Sequence, residues 1–390
     1  MVDDQYGSPG DGGGAALDNY ANNFSPPPGV SSRNRRYGRR AGVWQFGSIE
    51  RCRKCGKVAR IAGGVVEVRV TDGHAGFGGL VSCGSVWVCA VCASKVMQRR
   101  ALEIGCAVAA AHSRGLGVVF ETLTLRHFAH QRLVPLWDCV GHSWNRVTAG
   151  KGWTSDVAEF GIVGFVKTVE TTVGRNGWHP HVHALIFGHE LDASNVDELG
   201  ERTWRRWASG AKSRGLDAPQ PQASDWQFVG GDLSGTKLGK YLAGITIDKE
   251  ATAGALGMEL TQTQSKVARF RHSTITQWEL LDSAIDGEVD ALRLWGEFER
   301  GSKGRRQISW SKDLRALLGL DVVEKSDEDI AAEELGSRDD SVVCITPEGW
   351  SRLVARPWLL PEVLNKAESL GPEGLSGWLQ SEGIDHWRVI

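Results

Sequence analysis

The sequence predicts an α+β fold in which helices cover the faces of a central antiparallel sheet and a small cysteine-rich module precedes that sheet. Three observations support this prediction. Segments rich in β-branched residues alternate with amphipathic helical segments. The Asn176-Gly177 dipeptide joins two strand-like segments, which indicates an antiparallel hairpin rather than parallel crossovers. Two Cys-x-x-Cys pairs lie upstream of these elements.

Each predicted element follows from its local pattern. Ala93–Ser113 has the apolar spacing of an amphipathic helix and ends at Arg114-Gly115, a typical stop signal. Runs of alternating or β-branched residues predict strands. In chain order, the further predictions are a strand at Val118–Leu125, a helix at Leu133–Thr148, a strand at Gly161–Val173, a turn at 174–177, a strand at His179–Phe187, a helix at Val196–Lys212, a strand at Trp226–Val229 and a helix at Leu233–Thr246.

The length and composition predict several domains. The chain has 390 residues, and its 41% apolar and 24% charged residues exclude wholesale disorder. We predict a disordered, basic-ended tail at 1–42, a cysteine-rich module and helix at 43–113, a sheet domain at 114–320, and an acidic linker with a small helical segment at 321–390. Apolar runs fall short of the ~20 residues that span a bilayer, and the first thirty residues lack a signal-peptide core. We therefore expect a cytoplasmic protein without a membrane partner.

The net charge of -2 hides two oppositely charged ends. Residues 33–60 contain ten Lys or Arg and one acid, whereas residues 321–390 contain fifteen Asp or Glu and six Lys or Arg. A basic run suits contact with DNA phosphates, because neutralising phosphates releases counterions; a solvated basic tail is the alternative. The candidate DNA-binding residues are Arg33, Arg35, Arg36, Arg39 and Arg40.

The cysteines predict a structural zinc site. Cys52-x-x-Cys55 and Cys89-x-x-Cys92 together supply four thiolates, which is enough for tetrahedral zinc. The nearby Cys83 could replace one ligand. Disulfides and a redox pair are the alternatives, but no secretion signal supports an oxidising compartment. The isolated Cys106, Cys139 and Cys344 are expected to be core thiols.

The segment His179-Pro180-His181-Val182-His183 predicts a second metal site. Side chains two residues apart on a strand share a face, so His181 and His183 can bind one cation together. His179 shares that face but lies too far from His183 to join them. If the hairpin turns at 175–176, Glu170 lies opposite 181–182 and can supply a carboxylate. Two imidazoles and a carboxylate suit a catalytic divalent cation; ordinary surface histidines are the alternative.

A tyrosine is the candidate nucleophile. Of the four tyrosines, Tyr241 is the one outside the predicted disordered tail, and it follows Lys237 by one helical turn. A phenol has a pKa of about 10, so a nearby cation must favour its ionised form. A tyrosine packed in the core is the alternative.

These motifs resemble the HUH endonucleases, in particular the rolling-circle replication initiators of actinobacterial plasmids. His181-Val182-His183 resembles the metal motif, Thr122–His127 the first strand motif, and Tyr241 the nucleophile helix. The segments Trp87–Cys92 and Trp295–Leu320 also resemble recurring segments of these initiators, so that the resemblance covers about residues 50–320. Gly244 and Lys237 depart from the usual Lys after the tyrosine and Glu before it, which leaves the termination chemistry open.

The resemblance implies a DNA-nicking enzyme. Double-stranded origin DNA would be bound first, and one strand would then be nicked as single-stranded DNA with Mg²⁺ or Mn²⁺. Tyr241 would form a 5′-phosphotyrosine, and the free 3′-OH would prime a host polymerase working with a host helicase. A conjugative relaxase, a single-strand transposase, a non-catalytic zinc-containing DNA-binding regulator and a metallohydrolase unrelated to DNA remain alternatives.

Overall fold

The computed structural model describes residues 32–230, 274–320 and 323–389. It has the predicted α+β character, with two antiparallel sheets and helices packed on them. The helices are α1 Ser32–Phe46, α2 Glu50–Lys54, α3 Ala90–Ser113, α4 Leu133–Val147, α5 Gly150–Glu159, α6 Val196–Ser213, α7 Gln277–Ile285, α8 Val289–Ser302, α9 Leu314–Leu317, α10 Asp327–Ala332, α11 Pro347–Ala355 and α12 Leu359–Ser381. The strands are β1 Val66–Thr71, β2 His74–Gly78, β3 Gly117–Thr124, β4 Ile162–Gly174, β5 Gly177–Gly188, β6 Asp225–Phe228, β7 Thr274–Thr276, β8 Ile308–Trp310, β9 Ser341–Ile345 and β10 His386–Arg388.

The larger sheet has six strands in the order β6-β3-β5-β4-β7, and β8 also pairs with β4. Its central hairpin is β4–β5, and the Asn-Gly turn predicted from sequence closes it, with Gly174 opposite Gly177. Gly177 has a φ of 84°, a conformation that glycine adopts without steric cost. The predicted strands of this region agree with β3, β4, β5 and β6 to within a few residues.

One face of the larger sheet is buried under α4 and α6. Val182 is fully buried there with Trp137, Trp144 and Trp207 from these helices. On the opposite face, α3 covers the end of the sheet that carries Phe120, through residues such as Ile104. Because side chains alternate along a strand, the histidines of β5 share the Phe120 face rather than the Val182 face.

The smaller sheet joins the two ends of the chain. Its order is β10-β9-β1-β2, so β9 pairs with β1 of the hairpin that follows the first cysteine pair, and β10 pairs with β9. Helices α11 and α12 pack on this sheet together with Trp44 of α1. Helices α11 and α12 match the helical segment predicted near the C-terminus, but β9 and β10 lie on either side of them and were not predicted.

Part of the predicted N-terminal tail is helical. Residues 32–42 belong to helix α1, so the expected disordered tail is wrong over this range. The arginines of this segment pack against α7, α12 and their own aromatic neighbours, which gives the helix the tertiary contacts that composition did not reveal. The predicted helix at Leu233–Thr246 lies outside the described residues. No helix among the described residues is long and apolar enough to cross a bilayer.

Candidate metal centres on the cysteine module and the histidine sheet

Four cysteine thiols converge into a group that could hold a metal ion. They are Cys55, Cys83, Cys89 and Cys92, and all their sulfur atoms lie within 4.8 Å of one another. Cys55 Sγ lies 3.7 Å from that of Cys89 and 3.4 Å from that of Cys92, and Cys83 Sγ lies 3.8 Å from that of Cys92. Four thiolates at about 2.3 Å from tetrahedral zinc are about 3.8 Å apart, so the donor set fits zinc.

Cys83 takes the place that the sequence prediction gave to Cys52. Cys52 is fully buried in α2 and contacts the Cys83 thiol, but it lies outside the four-thiol group. Cys55 directly follows α2, whereas Cys89 and Cys92 lie at the first turn of α3. All eight cysteines of the chain are free thiols, so no disulfide competes with this arrangement.

A second group consists of Glu170, His181 and His183. Glu170 lies directly opposite His181 in the β4–β5 register, as the hairpin argument predicted. Its Oε2 atom lies 3.2 Å from Nε2 of each histidine. The side chains are 7%, 12% and 16% exposed, respectively. Two imidazole nitrogens and one carboxylate oxygen therefore converge on one small volume, which fits a divalent cation.

Neighbouring groups orient both imidazoles. Nδ1 of His183 lies 3.0 Å from Oγ1 of Thr122, and Nδ1 of His181 lies 3.3 Å from the carbonyl oxygen of His179. These contacts leave Nε2 of each ring directed at Glu170. Hydrogen bonds of this kind fix the tautomer and the ring orientation of metal-binding histidines. Thr122 belongs to the strand motif that the sequence analysis identified.

His179 continues the row of histidines but does not join the metal group. Its ring centroid lies 5.1 Å from that of His181 and 4.7 Å from that of His127. Burial, together with the charges that His181 and His127 would carry, lowers the pKa of His179 to about 3. His179 is therefore neutral at physiological pH. The prediction that it stands apart from the His181–His183 pair agrees with the geometry, in which the candidate ligands are Glu170, His181 and His183.

The predicted DNA-binding arginines are largely engaged within the fold. Arg39 and Arg40 are 6% and 4% exposed. Arg39 donates two hydrogen bonds to Asp282, and Arg40 lies 4.3 Å above the Tyr37 ring. Arg33 forms an ion pair with Glu368 at 2.5 Å. Phosphate contact by these three arginines would require them to leave these partners, and it stays a prediction.

The remaining two arginines of this set, Arg35 and Arg36, are half-buried, and phosphate contact by them stays a prediction. Burial lowers the pKa of Arg36.

The basic front and the acidic rear neutralise each other. Besides Arg33 with Glu368, the structure pairs Arg51 with Glu328 at 2.7 Å and Arg60 with Glu334 at 2.7 Å. Segregation of charge along the sequence therefore reflects contact between the two chain ends.

The candidate nucleophile Tyr241 and its neighbour Lys237 lie outside the described residues. Tyr37, which the sequence analysis assigned to a disordered tail, lies in helix α1. The argument by elimination in favour of Tyr241 is therefore wrong in this respect. Burial raises the pKa of the Tyr37 phenol, which disfavours the phenolate that a nucleophile requires.

Among curated proteins, the chain is similar to two from Streptomyces. It is 28% identical over 358 residues to Protein rep of Streptomyces lividans, and the alignment covers 76% of this chain and 77% of that protein. The chain resembles a Rep protein over most of its length. It is also 30% identical over 148 residues to a neomycin resistance protein of Streptomyces cyanogenus, across 32% of this chain and 34% of that protein. No family model and no solved structure matches the chain.

Proposed function

We propose that this protein initiates plasmid rolling-circle replication by nicking one strand of origin DNA. The observation that carries the proposal is the convergence of His181 and His183 on Glu170, with the carboxylate oxygen 3.2 Å from both Nε2 atoms. The similarity to Protein rep of Streptomyces lividans supports a role in plasmid replication. The resemblance of the strand motifs to HUH endonucleases supports the nicking chemistry.

Glu170, His181 and His183 would hold Mg²⁺ or Mn²⁺ beside the scissile phosphate. When bound, the cation would polarise a non-bridging phosphate oxygen and neutralise charge that develops in the transition state. Thr122 and the His179 carbonyl keep Nε2 of both imidazoles directed at this position. Because the three ligands lie on adjacent strands of one hairpin and already converge on one volume, little reorganisation would be needed when DNA binds.

Tyr241 would supply the nucleophile, and Lys237 would favour its ionised form. The phenolic oxygen would form a bond to phosphorus while the bond between phosphorus and the 3′ oxygen breaks, and a proton would pass to that oxygen. The products are a 5′-phosphotyrosine and a free 3′-OH. Since one phosphoester replaces another, the strand can be rejoined, and the 3′-OH can prime a host polymerase.

The cysteine module would position the enzyme on double-stranded origin DNA. A structural zinc ion on Cys55, Cys83, Cys89 and Cys92 would hold α2 against the start of α3. Arg35 and Arg36 remain candidate phosphate contacts. A host helicase would then extend the single-stranded region, in the cytoplasm.

The direct test uses labelled oligonucleotides that tile the DNA flanking the gene. In Mg²⁺ the wild-type chain should form a denaturant-resistant adduct with one of them, and Tyr241→Phe should form none. An adduct that persists in Tyr241→Phe would refute the nucleophile. A conjugative relaxase or transposase would also form an adduct, but the cognate origin would then support transfer or excision instead of plasmid replication.

A further inference from the structure

The loop between β3 and α4 lies at the end of the histidine row. This loop, residues 125–132, packs on the tip of the β4–β5 hairpin so closely that a Cβ on Gly177 would lie 3.0 Å from the Cα of Ala129. Its backbone is held in a turn. The amide of Phe128 donates to Oε1 of Gln131 at 2.8 Å, and the amide of Gln131 donates to the carbonyl of Phe128 at 3.0 Å. The loop is therefore attached to the same hairpin that carries the metal group.

A continuous line of rings connects the metal group to this loop. Ring centroids are 4.8 Å apart between His183 and His181, 5.1 Å between His181 and His179, and 4.7 Å between His179 and His127. The rings of His179 and His127 are nearly parallel, at 18°. The residue that follows His127 is Phe128. A strand of DNA whose phosphate lies at the metal group can thus reach the loop within a few nucleotides.

The exposed end of the loop combines an aromatic ring with cationic and imidazole groups. Phe128 is 39% exposed. The guanidinium carbon of Arg126 lies 5.5 Å from its ring centroid, and the ring of His130 lies parallel to it, at 6.0 Å and 10°. Arg126 is half-exposed and reaches Asp217 only at 3.6 Å. Solvated ion pairs of this kind are weak, so a phosphate can replace the carboxylate.

We infer that Arg126, Phe128 and His130 form a stacking platform for single-stranded DNA next to the nick site. Phe128 stacks on an unpaired base, His130 extends the stacking surface, and Arg126 contacts the adjacent phosphate. This inference rests on the proposed function, because it takes the phosphate at Glu170, His181 and His183 as the scissile one. Sequence-tolerant stacking on aromatic rings, combined with a cation for the backbone, is a general way of holding single strands.

The test measures equilibrium binding by the full chain to a fluorescent single-stranded oligonucleotide in EDTA, so that no cleavage occurs. Phe128→Ala should weaken binding roughly 5- to 100-fold, and Phe128→Trp should bind within about twofold of wild type. Trp358→Ala removes another exposed aromatic side chain, 65% exposed at the start of α12, and should bind like wild type. Arg126→Gln should reduce the slope of log affinity against log salt by about 0.7, whereas Phe128→Ala should leave it unchanged.

Abasic substitution identifies the contact itself. An abasic site at one position should weaken binding by the wild type, and the same site should cause no further loss in Phe128→Ala. Phe128→Ala binding within twofold of wild type would overturn the platform, as would Phe128→Trp binding as weakly as Phe128→Ala. If the wild type nicks DNA in Mg²⁺ but Phe128→Ala binds as tightly as the wild type, the platform is refuted and the proposed function stands. Binding that depends on Phe128, without any nicking by the wild type, would refute the proposed function and leave the platform standing.

Discussion

Glu121 is a carboxyl group buried behind the histidine sheet, and its ionisation should make the stability of the protein depend on pH. It lies on β3 next to Thr122 but points to the opposite face, where it is 0% exposed. Oε1 accepts a hydrogen bond from Thr203 at 2.6 Å, and Oε2 has no partner among the described residues. Burial raises the pKa of Glu121 to about 7, although the Thr203 hydrogen bond and the charge of Arg206 oppose this shift.

The direction of the pH dependence follows from how many protons the folded and the unfolded chain bind. The unfolded chain releases the Glu121 proton near pH 4.5, whereas the folded chain keeps it until about pH 7. Between these values the folded state binds more protons, so the free energy of unfolding falls as pH rises. A pKa shift of one unit corresponds to 1.36 kcal/mol. The shift from 4.5 to about 7 therefore corresponds to a loss of about 3 kcal/mol in the free energy of unfolding. The stability that the protonated Glu121 carboxyl contributes is fully present below pH 4.5 and is lost above about pH 7.

Glu121→Gln removes this titration. The free energy of unfolding should be measured by denaturant titration with tryptophan fluorescence at several values from pH 5 to pH 8. The free energy of unfolding of the variant, relative to that of the wild type, should increase as pH rises, by up to about 3 kcal/mol. Glu201→Gln, an exposed carboxyl on α6 paired with Arg205, should show no such trend. A difference between Glu121→Gln and wild type that stays constant across this range would refute the reasoning.

Two further predictions concern the cysteine module and helix α1. By elemental analysis, the wild-type chain should contain about one zinc ion, Cys52→Ser should retain it and Cys83→Ser should lose it. Loss of zinc from Cys52→Ser together with its retention by Cys83→Ser would contradict the ligand set. Arg39→Ala should destabilise the fold by roughly 1–3 kcal/mol, because it removes two hydrogen bonds to Asp282, whose carboxylate is partly exposed and can be solvated. It should leave the salt dependence of duplex DNA binding unchanged, and a reduced salt slope would show instead that Arg39 contacts phosphate.

The parts of the site that sequence could predict are those fixed by local rules. The turn at Arg175-Asn176, with Gly174 opposite Gly177, sets the register of the β4–β5 hairpin, and the register places Glu170 opposite His181. Period-two alternation then puts His181 and His183 on one face. No contact from a distant part of the chain is needed for this inference, which is why it agrees with the structure.

The features that sequence reasoning missed depend on contacts between distant segments. The pairing of β9 with β1 brings together residues about 275 positions apart, as in Val343 opposite Val68. No local pattern specifies such a partner. The same holds for Arg33 and Glu368, whose ion pair ties helix α1 to α12. The sequence named Cys83 as a possible replacement ligand, but only the three-dimensional positions of the thiols show that it stands in place of Cys52.

The most direct test of the central claim is the metal dependence of adduct formation by Glu170→Gln. This change keeps the size of the side chain but removes the charge that faces both imidazoles. Adduct formation on the single-stranded origin oligonucleotide in Mg²⁺ or Mn²⁺ should fall at least roughly 100-fold. His189→Ala, which changes an exposed histidine just beyond the far end of β5, should react like the wild type. Undiminished adduct formation by Glu170→Gln, or by the wild type in EDTA, would contradict the assignment of Glu170, His181 and His183 as the catalytic metal site.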